Sequence, residues 1–338
     1  MTWANIGILA GGLVLFLFGM HLLGVGLSAL AGTQMERFLE RMVNSGGRAL
    51  AAGAGVTALI QSSSATTVLV VKLVDAGVMR LEQAVGVIFG ANIGTTVTAW
   101  LMVLAQGGGR ENAFGLTSPA GLVCLSAVVG AVLLVLARGK RMLAIGKILT
   151  GWALLLFGME ALGEAMVPLG ASPYMRALLV RFTAPPMALA AGAIFTALIQ
   201  SSSASVAILQ ALAQSGSVPY RTVIPVILGQ NIGTCVTSLL ACVGSGRNAR
   251  WAAYIHVGFN LAGAALFWAI FYGLDVVLRF DFPAKPASGC GIAGFHSIFN
   301  IVSAMLLFPG FRKAARYMEH ADRQPAWRKE PANYRSVE

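Results

Sequence analysis

TALIQSSSA occupies Thr57 to Ala65, and the same string returns at Thr196 to Ala204. Each copy is followed by a second polar knot, GANIGTTVT from Gly90 to Thr98 and GQNIGTCVT from Gly229 to Thr237. Both knots sit 139 positions apart, as Thr57 and Thr196 do, so nothing has been inserted or lost between the paired motifs. The register extends upstream, where Phe18-Gly19-Met20 maps onto Phe157-Gly158-Met159 and Gly24 onto Gly163. The chain is built from two equal halves.

The medium follows from composition. Hydrophobic residues make up 57% of the chain and charged residues 11%, with a mean hydropathy of +0.76. A soluble domain carries about 25% charged residues, so this is an all-α integral membrane protein. The net charge of +11 might suggest nucleic acid, but the cations lie in short loops and in the tail from Arg312 to Glu338. Membrane topology accounts for them better, and no nucleic-acid partner is expected. Cys124, Cys235, Cys242 and Cys290 have no CxxC spacing and read as small buried residues, neither disulfide framework nor metal site. The N-terminus lacks a basic region and a cleavage site, so the first helix is expected to be retained.

A long apolar stretch from Ile6 to Ala31 can span, with His21 as its one ionisable residue. From Gly32 to Gly47 a polar segment has the pattern of an interfacial helix. The 14 residues from Arg48 to Gln61 would cover only about 21 Å of a core about 30 Å thick. After the serines, Ala65 to Val78 is again too short. Two half-length helices meeting at a polar tip describe a re-entrant hairpin, tolerated at membrane depth only where protein or water surrounds it. Two short spanning helices are the alternative.

Spans are then expected at Leu81–Ala105, whose GANIGTT knot suggests a break or close packing, and, after a loop from Gly107 to Thr117, at Pro119–Ala137 and Ile145–Val167. The second half repeats the order: an amphipathic piece from Ser172 to Thr183, a hairpin from Met187 to Gly216, and a span from Thr222 to Val243. Two last spans, Trp251–Leu274 and Gly291–Phe308, each carry HxxFN, at His256 to Asn260 and His296 to Asn300. The regions are thus 1–140, the first repeat with its hairpin at about 48–78; 141–310, the second repeat with its hairpin at about 187–216 and two following spans; and 311–338, a polar cytoplasmic tail.

Between equivalent points the chain crosses three times if each hairpin returns to its own side, or five if it does not. Both are odd, so the repeats have inverted topology. Loop charges set the orientation. Seventeen cations, among them Arg37, Arg41, Arg80, Arg138, Arg141 and those of the tail, fall on one side and six on the other. The positive-inside bias makes the first side cytoplasmic, with the N-terminus outside and the C-terminus inside a plasma or inner membrane.

Inverted repeats with broken helices near the midplane are the ground plan of secondary transporters, which hold substrate at the repeat interface. Each serine triplet would open a helix whose unpaired N–H groups and positive dipole end face a cavity. Ser62, Ser63, Ser64, Ser201, Ser202 and Ser203 would add hydroxyl donors for phosphate-like oxygens. Gln61 and Gln200 end the preceding arm, where carbonyl and amide oxygens suit Na+. Asn92, Thr95, Thr98, Asn231, Thr234 and Thr237 could complete an oxygen cage. An isolated serine triplet more often bonds its own preceding turn; duplication of the whole constellation favours a site.

Other polar residues have simpler readings. His21 is expected to bond neighbouring backbone, His256 and His296 to make matched hydrogen bonds between helices, and Lys72 and Asp75 to neutralise each other at i and i+3. Glu160 and Glu164 are intramembrane carboxylates outside the duplicated site, since their equivalents are His21 and Val25. The repeated sites contain no acid/base pair or metal cluster, so an enzyme is not expected.

QSSSAT with GANIGTT, then QSSSAS with GQNIGT, followed by RWAAYIHVGFN and FHSIFN, resembles the sodium/phosphate cotransporter family, the type II cotransporters and their bacterial relatives. The resemblance covers Phe18 to Pro309. It implies Na+-coupled symport of inorganic phosphate, with substrate and ions held by both QSSS hairpins and Gln200, Ser201, Thr234 and Thr237 helping to form a sodium site. Joined to the motif chemistry, this puts the expected phosphate site at Ser62, Ser63, Ser64, Ser201, Ser202, Ser203, Asn92, Asn231 and Thr95, and Na+ at Gln61, Thr98, Gln200, Ser201, Thr234 and Thr237. It implies no organic cofactor, and it leaves a homodimer open. Three departures stand out: there is no PhoU-like domain before Glu338, the first half lacks HxxFN (Thr117 and Gly121 stand there), and Cys235 replaces the threonine of Thr96. A transporter of another anion, such as sulfate, arsenate or a carboxylate, and a non-transporting membrane sensor are the alternatives.

Overall fold

Away from water, backbone N–H and C=O groups must be satisfied within their own segment, which favours helices. A computed structural model describes residues 3–31, 45–106, 119–171, 184–214, 216 and 218–323. Its helices are α1 (Trp3–Ala31), α2 (Gly46–Ile60), α3 (Ser63–Asp75), α4 (Leu81–Gln106), α5 (Pro119–Leu136) and α6 (Lys140–Ala171). They continue as α7 (Pro185–Ile199), α8 (Ser202–Gln214), α9 (Tyr220–Gly233), α10 (Cys235–Ala241), α11 (Arg247–Leu278) and α12 (Gly289–Arg323). Strand-like pairing among the described residues amounts to one bridge, Pro219 to Pro286.

Among the described residues, six segments are long and apolar enough to cross a membrane: Asn5–Leu27, Leu81–Leu104, Lys140–Leu162, Tyr220–Ala241, Arg247–Leu278 and Gly289–Glu319. Large apolar side chains such as Val135, Leu198 and Met305 point outward, a surface that lipid, not water, would cover.

Some expected boundaries move. α12 does not stop at Phe308; it continues through Pro309 to Arg323. There Arg316 pairs with the buried Glu82 at the start of α4, which holds the polar end of the helix against the core. The GANIGTT knot does not break α4, which runs unbroken to Gln106; its counterpart does interrupt the chain, between Gly233 and Cys235. The segments expected at Gly107–Thr117 and Ser172–Thr183, the end of the tail from 324, and residues 32–44 of the segment expected at Gly32–Gly47 lie outside the described residues, while Ser45 caps α2 and Gly46 and Gly47 open it.

Small residues set the packing. Gly12 meets Gly158 and Leu162, Gly19 meets Gly151 and Leu155, and Gly26 meets Ala144 and Ile148, so α1 and α6 run antiparallel. A Cβ on Gly19 would lie 2.3 Å from the nitrogen of Leu155, and one on Gly158 2.3 Å from that of Phe16. Because Gly12 corresponds to Gly151 and Gly19 to Gly158, the contact is made twice, once from each half.

The same doubling appears further along. Gly90 lies against the carbonyl of Leu50, where a Cβ would be 2.0 Å from the oxygen, and Gly229 against that of Leu189 at the same 2.0 Å. Thus α2 packs on α4 as α7 packs on α9. The halves are stitched together by Gln210 on α8, whose amide donates to the carbonyls of Ala99 (3.3 Å) and Gly289 (3.1 Å), and by Phe89 stacked on Phe259 at 3.9 Å.

Candidate functional site

α2 has 15 residues and α3 has 13; α7 and α8 repeat those lengths. Each of the four is only about 20 Å long. The chain leaves α2 through Gln61 (φ 58°, ψ 27°) and α7 through Gln200 (φ 57°, ψ 23°), both left-handed. A non-glycine residue in this region costs on the order of 1 kcal/mol. The turn is closed by the Gln61 N–H on the Thr57 carbonyl at 2.8 Å and by the Gln200 N–H on the Thr196 carbonyl at 2.7 Å. Glycine would adopt this turn freely, so retaining glutamine twice points to a use for its amide.

The serines then restart the helix. Ser62 Oγ accepts from the Ala65 N–H at 3.1 Å, capping α3, and Ser201 Oγ accepts from the Ala204 N–H at 3.2 Å. A second clasp joins the arms of each pair: Thr57 donates to Thr66 at 2.9 Å, and Thr196 to Ser205 at 2.8 Å. The motif itself contains Thr57 and Thr196, yet their role as clasps could not be read from spacing alone.

Both junctions open on one cavity of about 460 Å³. Gln61, Ser62, Ser63 and Ser64 line it from one half, Gln200, Ser201, Ser202 and Ser203 from the other, and α1 closes it with Leu17, Met20, His21, Gly24 and Val25. α1 reaches this position because Gly24 admits the Ile60 carbonyl, 2.7 Å from where a Cβ would be. Ala204, Ala207 and Ala211 of α8 pack with Phe16, Leu23 and Leu155 of α1 and α6, which brings the second junction to the same wall.

The expected oxygen cage is not at this wall. Thr98 sits directly behind it, donating to Gln61 Oε1 at 2.8 Å while the Gln61 amide donates to the Ala58 carbonyl. Asn92 donates to Asn260 Oδ1 at 3.4 Å, Asn231 to the Ile227 carbonyl at 3.0 Å, and Thr95 to the Ala91 carbonyl at 3.0 Å. Thr234 and Thr237 bond the carbonyls of Gln230 and Thr234, both at 2.9 Å. None of these six residues lines the cavity, and of them Thr98 is the one bonded to a tip side chain.

The two junctions therefore differ. Gln61 is buried and held, whereas Gln200 is exposed to the cavity.

Other readings change too. His21 is exposed on the cavity wall and has no hydrogen bond to a described residue, because its helix face looks into open space. Asp75 turns from Lys72 to accept from the Gly246 N–H at 2.7 Å, ahead of α11. The two HxxFN motifs are alike in a bond within the helix, from Asn260 to the His256 carbonyl at 3.0 Å and from Asn300 to the His296 carbonyl at 2.8 Å. Only His256 makes the expected link to another helix, to Ser238 Oγ at 2.9 Å. Glu160 and Glu164 are exposed and away from the cavity.

Long apolar helices around a cavity to which both sequence repeats bring the same Gln-Ser-Ser-Ser turn define a multi-pass membrane protein of the transporter class. The chain belongs to the Na+/Pi-cotransporter family, whose model matches it twice, over residues 15–164 and 154–305. It is 28% identical over 298 residues to "Uncharacterized protein YqeW" of Bacillus subtilis, covering 88% of this chain and 92% of that one. It is 26% identical over 310 residues to "Putative inorganic phosphate export protein YjbB" of Salmonella typhimurium, covering 91% of this chain but 54% of the relative. The chain thus spans about half the length of the YjbB relatives it matches. Over 62 residues, 18% of this chain and 10% of the relative, it is 50% identical to the rat sodium-dependent phosphate transport protein 2C. No solved structure matches it.

Proposed function

We propose that this protein is a secondary active transporter that couples Na+ to the movement of inorganic phosphate. The observation that carries this reading is the convergence of Gln61 to Ser64 and Gln200 to Ser203 on one cavity. Two helix N-termini with serine hydroxyls suit the oxygens of an anion. The amide and carbonyl oxygens of Gln61 and Gln200, with the Ser201 hydroxyl, suit Na+. Thr98 holds the Gln61 amide; Thr234 and Thr237 remain candidates for the Na+ site, and Asn92, Asn231 and Thr95 for phosphate, once the bundle moves.

The α2–α3 and α7–α8 pairs are read as re-entrant hairpins, since each arm is shorter than the hydrocarbon core, about 30 Å thick. An inverted repeat is supported by the antiparallel packing of the equivalent helices α1 and α6. Opposed repeats around a shared site allow one bundle to rock against the other and expose the cavity alternately. The cation bias puts the N-terminus outside and the C-terminus in the cytoplasm.

The test is labelled phosphate in proteoliposomes that hold folded protein under an imposed Na+ gradient. Accumulation that collapses without the gradient is expected. No Na+-dependent flux in either direction would end the proposal. The name of the YjbB relatives favours a second reading for direction, net export. Reversing the gradient across oriented vesicles separates the two.

A further inference from the structure

Among the residues that line the cavity, His21 is the one ionisable side chain; the rest are apolar, glycine, serine or glutamine. Neutral dipoles thus face the anion from both junctions, and among the described lining residues His21 of α1 is the group able to carry a full positive charge. We infer that His21 is a phosphate-binding residue of this cavity, its ring facing the anion held between the two serine turns and supplying the charge that those turns lack. This rests on the phosphate reading of the cavity.

The surroundings leave that role to His21. On α6, Glu160 and Glu164 lie near the level of Gly12, which touches Ala161 and Leu162; that is about 14 Å along α1 from His21. At the other end Lys140, Arg141 and Lys147 lie around the level of Gly26, which meets Ala144 and Ile148. On α2 the charged residue is Arg48, at the end opposite Ile60, and on α3 Lys72 and Asp75 lie at the end away from the serines. α7 and α8 carry no ionisable residue at all. Imidazole is the side chain whose charge ordinarily changes between about pH 5 and 8.

The experiment measures the affinity of the purified full chain for inorganic phosphate, at fixed Na+, for wild type, His21→Gln and His21→Lys. Identical buffers present every variant with the same mixture of phosphate monoanion and dianion. The wild-type to His21→Gln affinity ratio should rise about tenfold from about pH 8.5 to about pH 5.5. His21→Lys should hold the higher affinity across the range.

A ratio that stays flat overturns the inference, and so does a His21→Gln variant that loses only its phosphate-free thermal stability. Wild type that binds no phosphate at any pH defeats the phosphate reading itself, a distinct outcome. If the variants do not fold, NMR of the 15N-labelled histidine in the unmodified chain decides. At fixed pH, added inorganic phosphate must then move the His21 ring 15N resonances; no movement overturns the inference.

Discussion

The Thr98 hydroxyl donates a 2.8 Å hydrogen bond to Gln61 Oε1, whereas its equivalent Thr237 spends its proton on the Thr234 carbonyl and leaves Gln200 to the cavity. One sequence motif thus stands in two states within one chain. Gln61 is locked, and the Gln200 side chain faces the cavity.

Thr98→Val would strand the buried Gln61 amide oxygen, a loss of about 1–3 kcal/mol. Thr237→Val should cost less than about 1 kcal/mol, because the Gln200 side chain does not depend on it. Denaturation of the two variants in one detergent checks the order.

The glycine contacts make a sharper demand on stability. Gly90→Ala and Gly229→Ala would each drive a Cβ into a carbonyl oxygen 2.0 Å away, on Leu50 and Leu189. Both should lose about 3 kcal/mol or more, since neighbouring backbone cannot yield as a side chain does. Gly55→Ala, with nothing within 4 Å, should hold or gain about 0.5–1 kcal/mol from helix propensity. Yield of monodisperse protein and thermal midpoint read the difference.

Gln200→Gly separates backbone from side chain. It relieves the left-handed turn, a gain of up to about 1 kcal/mol, while removing the exposed amide. Thermal stability should hold or rise as Na+-dependent phosphate flux falls by about tenfold or more, a loss worth about 1.4 kcal/mol. Equal loss of stability and flux would mean that the amide serves folding.

Removing the caps tests the anion site directly. Ser62→Ala and Ser201→Ala should each cost about 1 kcal/mol as helix caps. In wild type, phosphate at about 100 times its Kd stabilises by about 2.7 kcal/mol. The double variant should keep most of its phosphate-free stability and lose that increment, measured as thermal midpoints with and without phosphate.

Much of the architecture was legible without coordinates. Apolar runs and the 139-residue repeat announced spans, breaks and a duplicated junction, because helix length against membrane thickness is a local matter. Chain order and the boundaries of α1, α2 and α4 follow from that alone. The continuation of α12 past Pro309 did not, since it depends on Glu82, far away in the chain, receiving Arg316.

Sequence by itself determined that two identical polar turns sit between half-length helices in an apolar chain. Tertiary structure decided which atoms meet at those turns. The wall formed by α1 and the place of His21 on it follow from backbone approaches at Gly19 and Gly24, and Asn92, Thr95 and Thr234 lie off the cavity. Such approaches join segments remote in sequence, and a repeat that treats both halves alike cannot say which glutamine is held by its threonine and which is left facing the cavity.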